Sequence, residues 1–166
     1  MRKFVRAVDT FNEYFGNGVA LLILPMVFVV VYEVVARKVF HAPTIWAFEI
    51  TVYLYGAHFM LGAAYTALHD RHVRIDILSS RLPARFQGWL NIVTFILMFI
   101  PFVGGLCIAA VSYAAHAWLV NEHSWSAWKP PLYLYKTVMP VGLILLFIQG
   151  LSQFIKGIYR LKGEEL

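Results

Sequence analysis

Residues 32–76 read YEVVARKVFHAPTIWAFEITVYLYGAHFMLGAAYTALHDRHVRID, two apolar runs joined by the short turn His41-Ala42-Pro43-Thr44. Glu33, Arg37 and Lys38 close the first run, Glu49 lies just inside the second, and His72, Arg74 and Asp76 follow its end. A charged group at the centre of a helix in hydrocarbon costs about 2.5–3.5 kcal/mol, so a membrane chain keeps such groups for a partner, an interface or a site. Charge confined to the ends of apolar runs reads as a transmembrane hairpin, and Pro43, which discourages helix before it, sets the turn.

The whole chain has the same character. Of its 166 residues 60% are hydrophobic and only 14% charged, with a mean hydropathy of +0.67; a soluble domain carries about 25% charged residues. The net charge of +5 does not imply a nucleic-acid partner, because the basic residues cluster at the ends of apolar runs and form no single patch. The single cysteine, Cys107, lies in an apolar run and reads as a packing residue.

Four apolar segments, near 12–36, 45–68, 84–120 and 134–158, reach the roughly 20 residues needed to cross about 30 Å of hydrocarbon. The predicted class is an all-α integral membrane protein, one membrane domain over residues 1–166 with four transmembrane helices. A short amphipathic interfacial helix is expected at about 75–83, where Ile75, Leu78 and Leu82 recur at helical spacing opposite Ser79 and Arg81. Arg2, Lys3 and Arg6 before an apolar run imitate a signal peptide, but no small-residue cleavage site follows, so the run reads as an uncleaved first span. With the N-terminus inside, ten lysines and arginines flank the inner ends of the spans and four the outer ends, which places both termini in the cytoplasm.

Along the spans, Pro25 is expected to bend the first. Glu33 and Arg37 share a helical face, as a local pair at the helix end or with one of them reaching a neighbouring helix or subunit, and a cross-helix pair between Arg37 and Glu49 is expected at the outer end of the hairpin. Trp46 anchors the second span at the interface. Gly62 with Thr66, Ala63 with Ala67, Gly105 with Ala109 and Ala110 with Ala114 offer small-residue faces for close helix contact. The third segment, counted from Pro83 to Val120, would be about 57 Å long at 1.5 Å per residue, so it must tilt, protrude, or bend at Pro101 or Gly104-Gly105. The outer connection NEHSWSAWKPP, residues 121–131, presents Trp125 and Trp128 as interfacial anchors or a docking surface. On the last span Gln149, Gln153, Lys156 and Arg160 share a face beside Ser152, as a helix leaving the membrane or as a partner interface.

Catalytic patterns are missing: the chain has no nucleophile elbow, phosphate loop, CxxC or HExxH. No enzyme activity, catalytic residue, substrate-binding residue or metal site is expected in this chain, since His69 and His72 lack a third ligand. His58 and His116 lie within spans and raise a haem-binding four-helix anchor of a respiratory complex as an alternative, although they fall at different depths. A self-sufficient small carrier or channel is a second alternative, for which His58, Asn91, Thr94, Ser112 and Gln149 are too sparse and scattered to form a midplane site.

YEVVARKVF followed by APTIWAFEI, then GAAYTALHDRHVRIDIL, then WKPPLYLYKTVMPVG with LLFIQGLSQFI span most of residues 32–155. In that order and with four spans, they resemble the DctQ-type small membrane subunit of TRAP, or tripartite ATP-independent periplasmic, transporters. The resemblance implies a scaffold in a sodium-coupled secondary transporter of the inner (cytoplasmic) membrane of a bacterial or archaeal cell, taking up organic acids or related solutes. It implies a large multi-span membrane subunit that carries substrate and sodium, and a periplasmic substrate-binding protein that delivers the solute. No cofactor is implied in this chain; membrane lipids complete its surroundings. On this reading Glu33, Arg37 and Glu49 hold the outer end of the hairpin, while His72, Arg74 and Asp76 fix the inner loop against lipid headgroups or the large subunit.

Overall fold

The computed structural model describes residues 1–69, 89 and 92–161, and these are almost entirely helical. The helices are α1 (Arg2–Ala20), α2 (Ile23–Lys38), α3 (Ile45–Leu68), a π-helical turn (Phe95–Phe99) that runs into α4 (Ile100–Leu119), and α5 (Leu132–Leu161). Three helical stretches, Arg2–Lys38, Ile92–Leu119 and Leu132–Tyr159, are long and apolar enough to cross a membrane. The 24-residue α3, which carries Glu49, His58 and three tyrosines, is not among them. The amphipathic connector at 75–83, with His72, Arg74 and Asp76, lies outside the described residues.

Proline chemistry sets two of the helix junctions. Pro25 has no N–H to give the carbonyl of Leu21, and the backbone instead tightens, with Leu21 N–H bonding to Gly18 at 3.1 Å, Leu22 to Val19 at 3.0 Å and Leu24 to Leu21 at 3.1 Å. The first span is therefore two helices meeting at Leu21-Leu22 rather than one bent rod. Pro101 acts on the other side of the bundle. It cannot donate to Leu97, and the preceding turn widens so that the Ile100 N–H reaches Phe95, five residues back. The adjustment falls one turn before Pro101, and Gly104-Gly105 stays inside regular helix.

Side-chain contacts fix the order of the rods. Glu13 meets His69, and Glu33 meets Thr44, so α1 and α2 run antiparallel to α3. Tyr53 stacks on Tyr135 at 4.6 Å, so α3 and α5 run side by side in the same direction. The ring pairs Phe95–Phe154 at 4.5 Å and Phe99–Phe147 at 6.1 Å set α4 antiparallel to α5. α3 packs on α1, α2 and α5, whereas α4 packs on α5.

Small residues mark where the backbones come closest. Ala64 and Ala67 of α3 and Ala110, Ala114 and Ala117 of α4 are buried, all at 5% exposure or less. Gly16 lies under the Tyr65 ring, Gly56 under the Tyr135 hydroxyl, Gly142 against the Met60 carbonyl and Gly150 under the Phe99 ring. The faces expected at Gly62 and Gly105 differ: a β-carbon at either meets nothing within 4 Å, and Ala109 is exposed. Thr66 does not reach a neighbour but returns its hydroxyl to the Gly62 carbonyl of its own helix at 3.0 Å.

Candidate functional site

Polar chemistry concentrates at the two ends of the bundle. At the end that holds the termini, Asp9 of α1 accepts hydrogen bonds on one oxygen from Gln149 Nε2 at 3.1 Å and Ser152 Oγ at 3.0 Å. Its other oxygen pairs with Lys156 at 2.5 Å. Asn12 donates to Gln149 Oε1 at 2.7 Å, and Asn12, Gln149 and Ser152 are all at or below 2% exposure. The Asn12 Oδ1 has no hydrogen-bond partner among the described residues. Gln153 donates to the carbonyl of Ala67, and His69 Nε2 meets Glu13 at 2.9 Å. Gln149 and Gln153 therefore turn inward, onto α1 and α3. Because Glu13 sits level with the end of α3, residues 2–12 of α1 and the tail of α5 project past it as a clamped pair.

At the opposite end Glu33 is the hub. One of its oxygens takes Arg37 Nε at 3.1 Å and Nη2 at 2.5 Å; the other takes the Thr44 N–H at 3.1 Å and the Thr44 hydroxyl. Thr44 is the N-cap of α3, so Glu33 fastens the end of α2 to the start of α3 around a turn that places His41 at a positive φ of 51°. Glu33→Ala leaves both Thr44 donors at that cap without their acceptor and is expected to destabilise the chain more than the loss of its Arg37 partner. Arg37→Ala removes an exposed i,i+4 pair and should cost less than about 1 kcal/mol. Thermal unfolding of the purified variants checks the order of the two.

Arg37 does not reach Glu49. The Glu49 carboxylate accepts from Ser124 of the α4–α5 loop at 3.2 Å and ties α3 to that loop instead. The loop is held at both feet. Lys136 Nζ bonds to both Glu122 oxygens, at 2.6 and 2.5 Å, and lies 4.1 Å from the centre of the Tyr113 ring. Ser124 N–H bonds to Pro130 O at 2.9 Å and Leu132 N–H to Glu122 O at 2.9 Å, with Asn121 and Lys129 at positive φ. This frame presents Trp125 at 99% exposure, with Trp128 at 46% beside it.

Between the two ends the polar groups are spent locally. His58 Nδ1 lies 3.1 Å from the Val19 carbonyl at the α1–α2 corner, so that nitrogen carries the hydrogen. Thr51 bonds to Ala47 of its own helix at 2.8 Å. His116 is exposed on α4, which packs on α5, so His58 and His116 do not converge. Among the described residues no group of three histidines, cysteines or carboxylates is placed to hold a metal ion.

The residue pattern singles out Gln149, Gln153 and Lys156 but not Asp9 and Asn12, which bond to Gln149 and Lys156, nor Glu13, which meets His69. The available signal was Asp9 and Asn12 at i,i+3, sharing a face of an amphipathic helix with the buried Val5, Gly16 and Val19. The arrangement is that of a braced bundle whose ion pairs hold its own helices together.

Residues 26–160 match the family model described as "Tripartite ATP-independent periplasmic transporters, DctQ component". The chain belongs to this family. A relative is the sialic acid TRAP transporter permease protein SiaT of Haemophilus influenzae (strain 86-028NP), 25% identical over 96 residues. The match covers 58% of this chain and 15% of that protein, so the chain spans a small part of its relative's length. DctQ components are parts of transporters, which places this chain among transport proteins.

Proposed function

We propose that this DctQ component is the small scaffold subunit of a sodium-coupled secondary transporter in the cytoplasmic membrane of a bacterial or archaeal cell. All four rods cross the bilayer on this reading, α3 included: 24 residues give about 36 Å at 1.5 Å per residue, and its Glu49 and His58 bond to Ser124 and to the Val19 carbonyl. Both termini face the cytoplasm, in keeping with ten basic residues at that side against four at the other. Organic acids or related solutes, delivered by a periplasmic binding protein, pass with sodium through the large multi-span subunit. The sialic acid in the relative's name supports an acidic solute.

The observation that carries this reading is where the polar side chains go. Among the described residues Asp9, Asn12 and Gln149 at one end and Glu33, Thr44, Glu49 and Ser124 at the other tie helices and loops together, with one Glu49 oxygen left without a partner. The midplane offers His58 bonded to a backbone carbonyl rather than convergent groups for a solute. Such a chain contributes rigidity and surface to the assembly, and its partner contributes the pathway. Coexpression with a large TRAP-type subunit tests this: the tagged chain should bring that subunit through purification in stable stoichiometry, and a chain that purifies alone from that coexpression would contradict the reading.

Trp125 belongs to the same proposal as a contact for the binding protein, because a fully exposed indole on a braced loop enters an interface with little ordering cost. Trp125→Ala should leave the stability of the chain within about 0.5 kcal/mol. In the reconstituted complex it should raise the binding-protein concentration for half-maximal uptake about tenfold.

A further inference from the structure

Beside the Glu33 hub, α2 and α3 diverge to leave a cleft of about 270 Å³ lined by Val30, Val34, Ala47, Phe48 and Thr51, with Arg37 and Lys38 at its mouth. That approaches the lower end of small-molecule sites, about 300 Å³. Ala47 is at 0% exposure, while Phe48 and Val34 beside it are 68% and 53% exposed. Thr51 adds no free polar group, since its hydroxyl is returned to Ala47. The walls are thus apolar and open toward the outside of the bundle, where helices of this composition meet acyl chains.

The mouth has the opposite chemistry. Glu33 is neutralised by Arg37 and its remaining oxygen is taken by both Thr44 donors, so it repels an incoming anion weakly. Lys38 stands one residue on in the last turn of α2, exposed, and leaves the mouth with one net positive charge. At the helix C-terminus Ala42 N–H bonds to Ala36 O at 3.0 Å and Val39 N–H to Val35 O at 2.9 Å, which ties off two of the four end carbonyls. A cationic rim over an apolar slot matches one molecule that a membrane holds in quantity, an anionic phospholipid.

We propose that this cleft is a binding site for an anionic phospholipid, with one acyl chain between α2 and α3 along Val30, Val34 and Phe48 and the headgroup phosphate against Lys38 and Arg37. The site requires only that the helices lie in a bilayer and does not depend on the transport reading. Its consequence is that a lipid wedges the hairpin at the Glu33 hub and fixes the angle between the two helices.

Native mass spectrometry of the purified full chain, titrated with phosphatidylglycerol or phosphatidylcholine, tests the proposal. The wild type should retain phosphatidylglycerol in preference to phosphatidylcholine, and Lys38→Gln should cut that preference about fivefold. Val34→Trp fills the slot from its rim, keeps both cations, and should abolish retention of either lipid; Ile108→Trp on the exposed face of α4 is the control and should leave retention unchanged. Equal retention of the two lipids by the wild type would overturn the headgroup assignment. Retention by Val34→Trp equal to the wild type would overturn the cleft, and so would a lipid-free dimer lost in Val34→Trp, which would make a second copy the occupant.

Discussion

Gln149→Leu is expected to lower the unfolding midpoint of the purified chain by about 5–10 °C, corresponding to about 2–3 kcal/mol. Leucine is close to glutamine in volume, so the cost is polar rather than steric. The change leaves the Asn12 amide without its 2.7 Å acceptor in a site where Asn12 is 2% exposed and its Oδ1 already lacks a partner. It also removes one of the donors to Asp9. A buried polar group stripped of its partner costs more than the hydrogen bond contributed, which gives the prediction a second arm. Asn12→Leu combined with Gln149→Leu removes both orphaned groups and should recover more than half of the loss, because Asp9 keeps Ser152 and Lys156. Additive losses in the double variant would show that the two amides are not coupled.

Gly142→Leu is expected to destabilise the chain by about 3 kcal/mol or more, and Gly142→Ala by about 2 kcal/mol. A β-carbon at Gly142 would lie 2.6 Å from the Met60 carbonyl oxygen, and that atom is backbone of α3, which cannot step aside without moving the helix. Gly62→Ala supplies the contrast on the same helix pair. With open space at its β-carbon, it should be neutral or stabilise by up to about 1 kcal/mol through helix propensity. Chemical or thermal unfolding in one detergent ranks the three; equal effects at Gly142 and Gly62 would mean that α3 and α5 do not approach as described.

The contrast between these glycines shows what could be read from the chain. Apolar length and end charges were legible at single-residue level, since crossing hydrocarbon constrains composition directly. The helical rods, the 41–44 turn and the choice of Glu33, Glu49 and Gln149 as candidate contact residues rested on that constraint. Which small residues face a neighbour did not, because Gly62 and Gly142 satisfy the same spacing rule and only the rotation of each helix tells them apart. Glu33 and Arg37 at i,i+4 read as a local pair and form one, whereas the Arg37–Glu49 pair expected from depth does not form and Glu49 bonds to Ser124 instead. Pro25 signalled a bend, but the split at Leu21-Leu22 also needs the local 3.0–3.1 Å turn bonds and the His58 contact from 39 residues away. Asp9 and Asn12 were overlooked for a related reason: a polar residue near a basic N-terminus resembles a solvated end until the facing helix supplies its partner.

On the proposed function, the chain braces a transport assembly and its large partner carries the solute pathway. Reconstitution into sealed vesicles under an inward sodium gradient tests it most directly, comparing the chain alone with the chain joined to its large subunit and binding protein. Solute accumulation only in the complete system is the predicted result. Sodium-driven accumulation by vesicles holding this chain alone would contradict it.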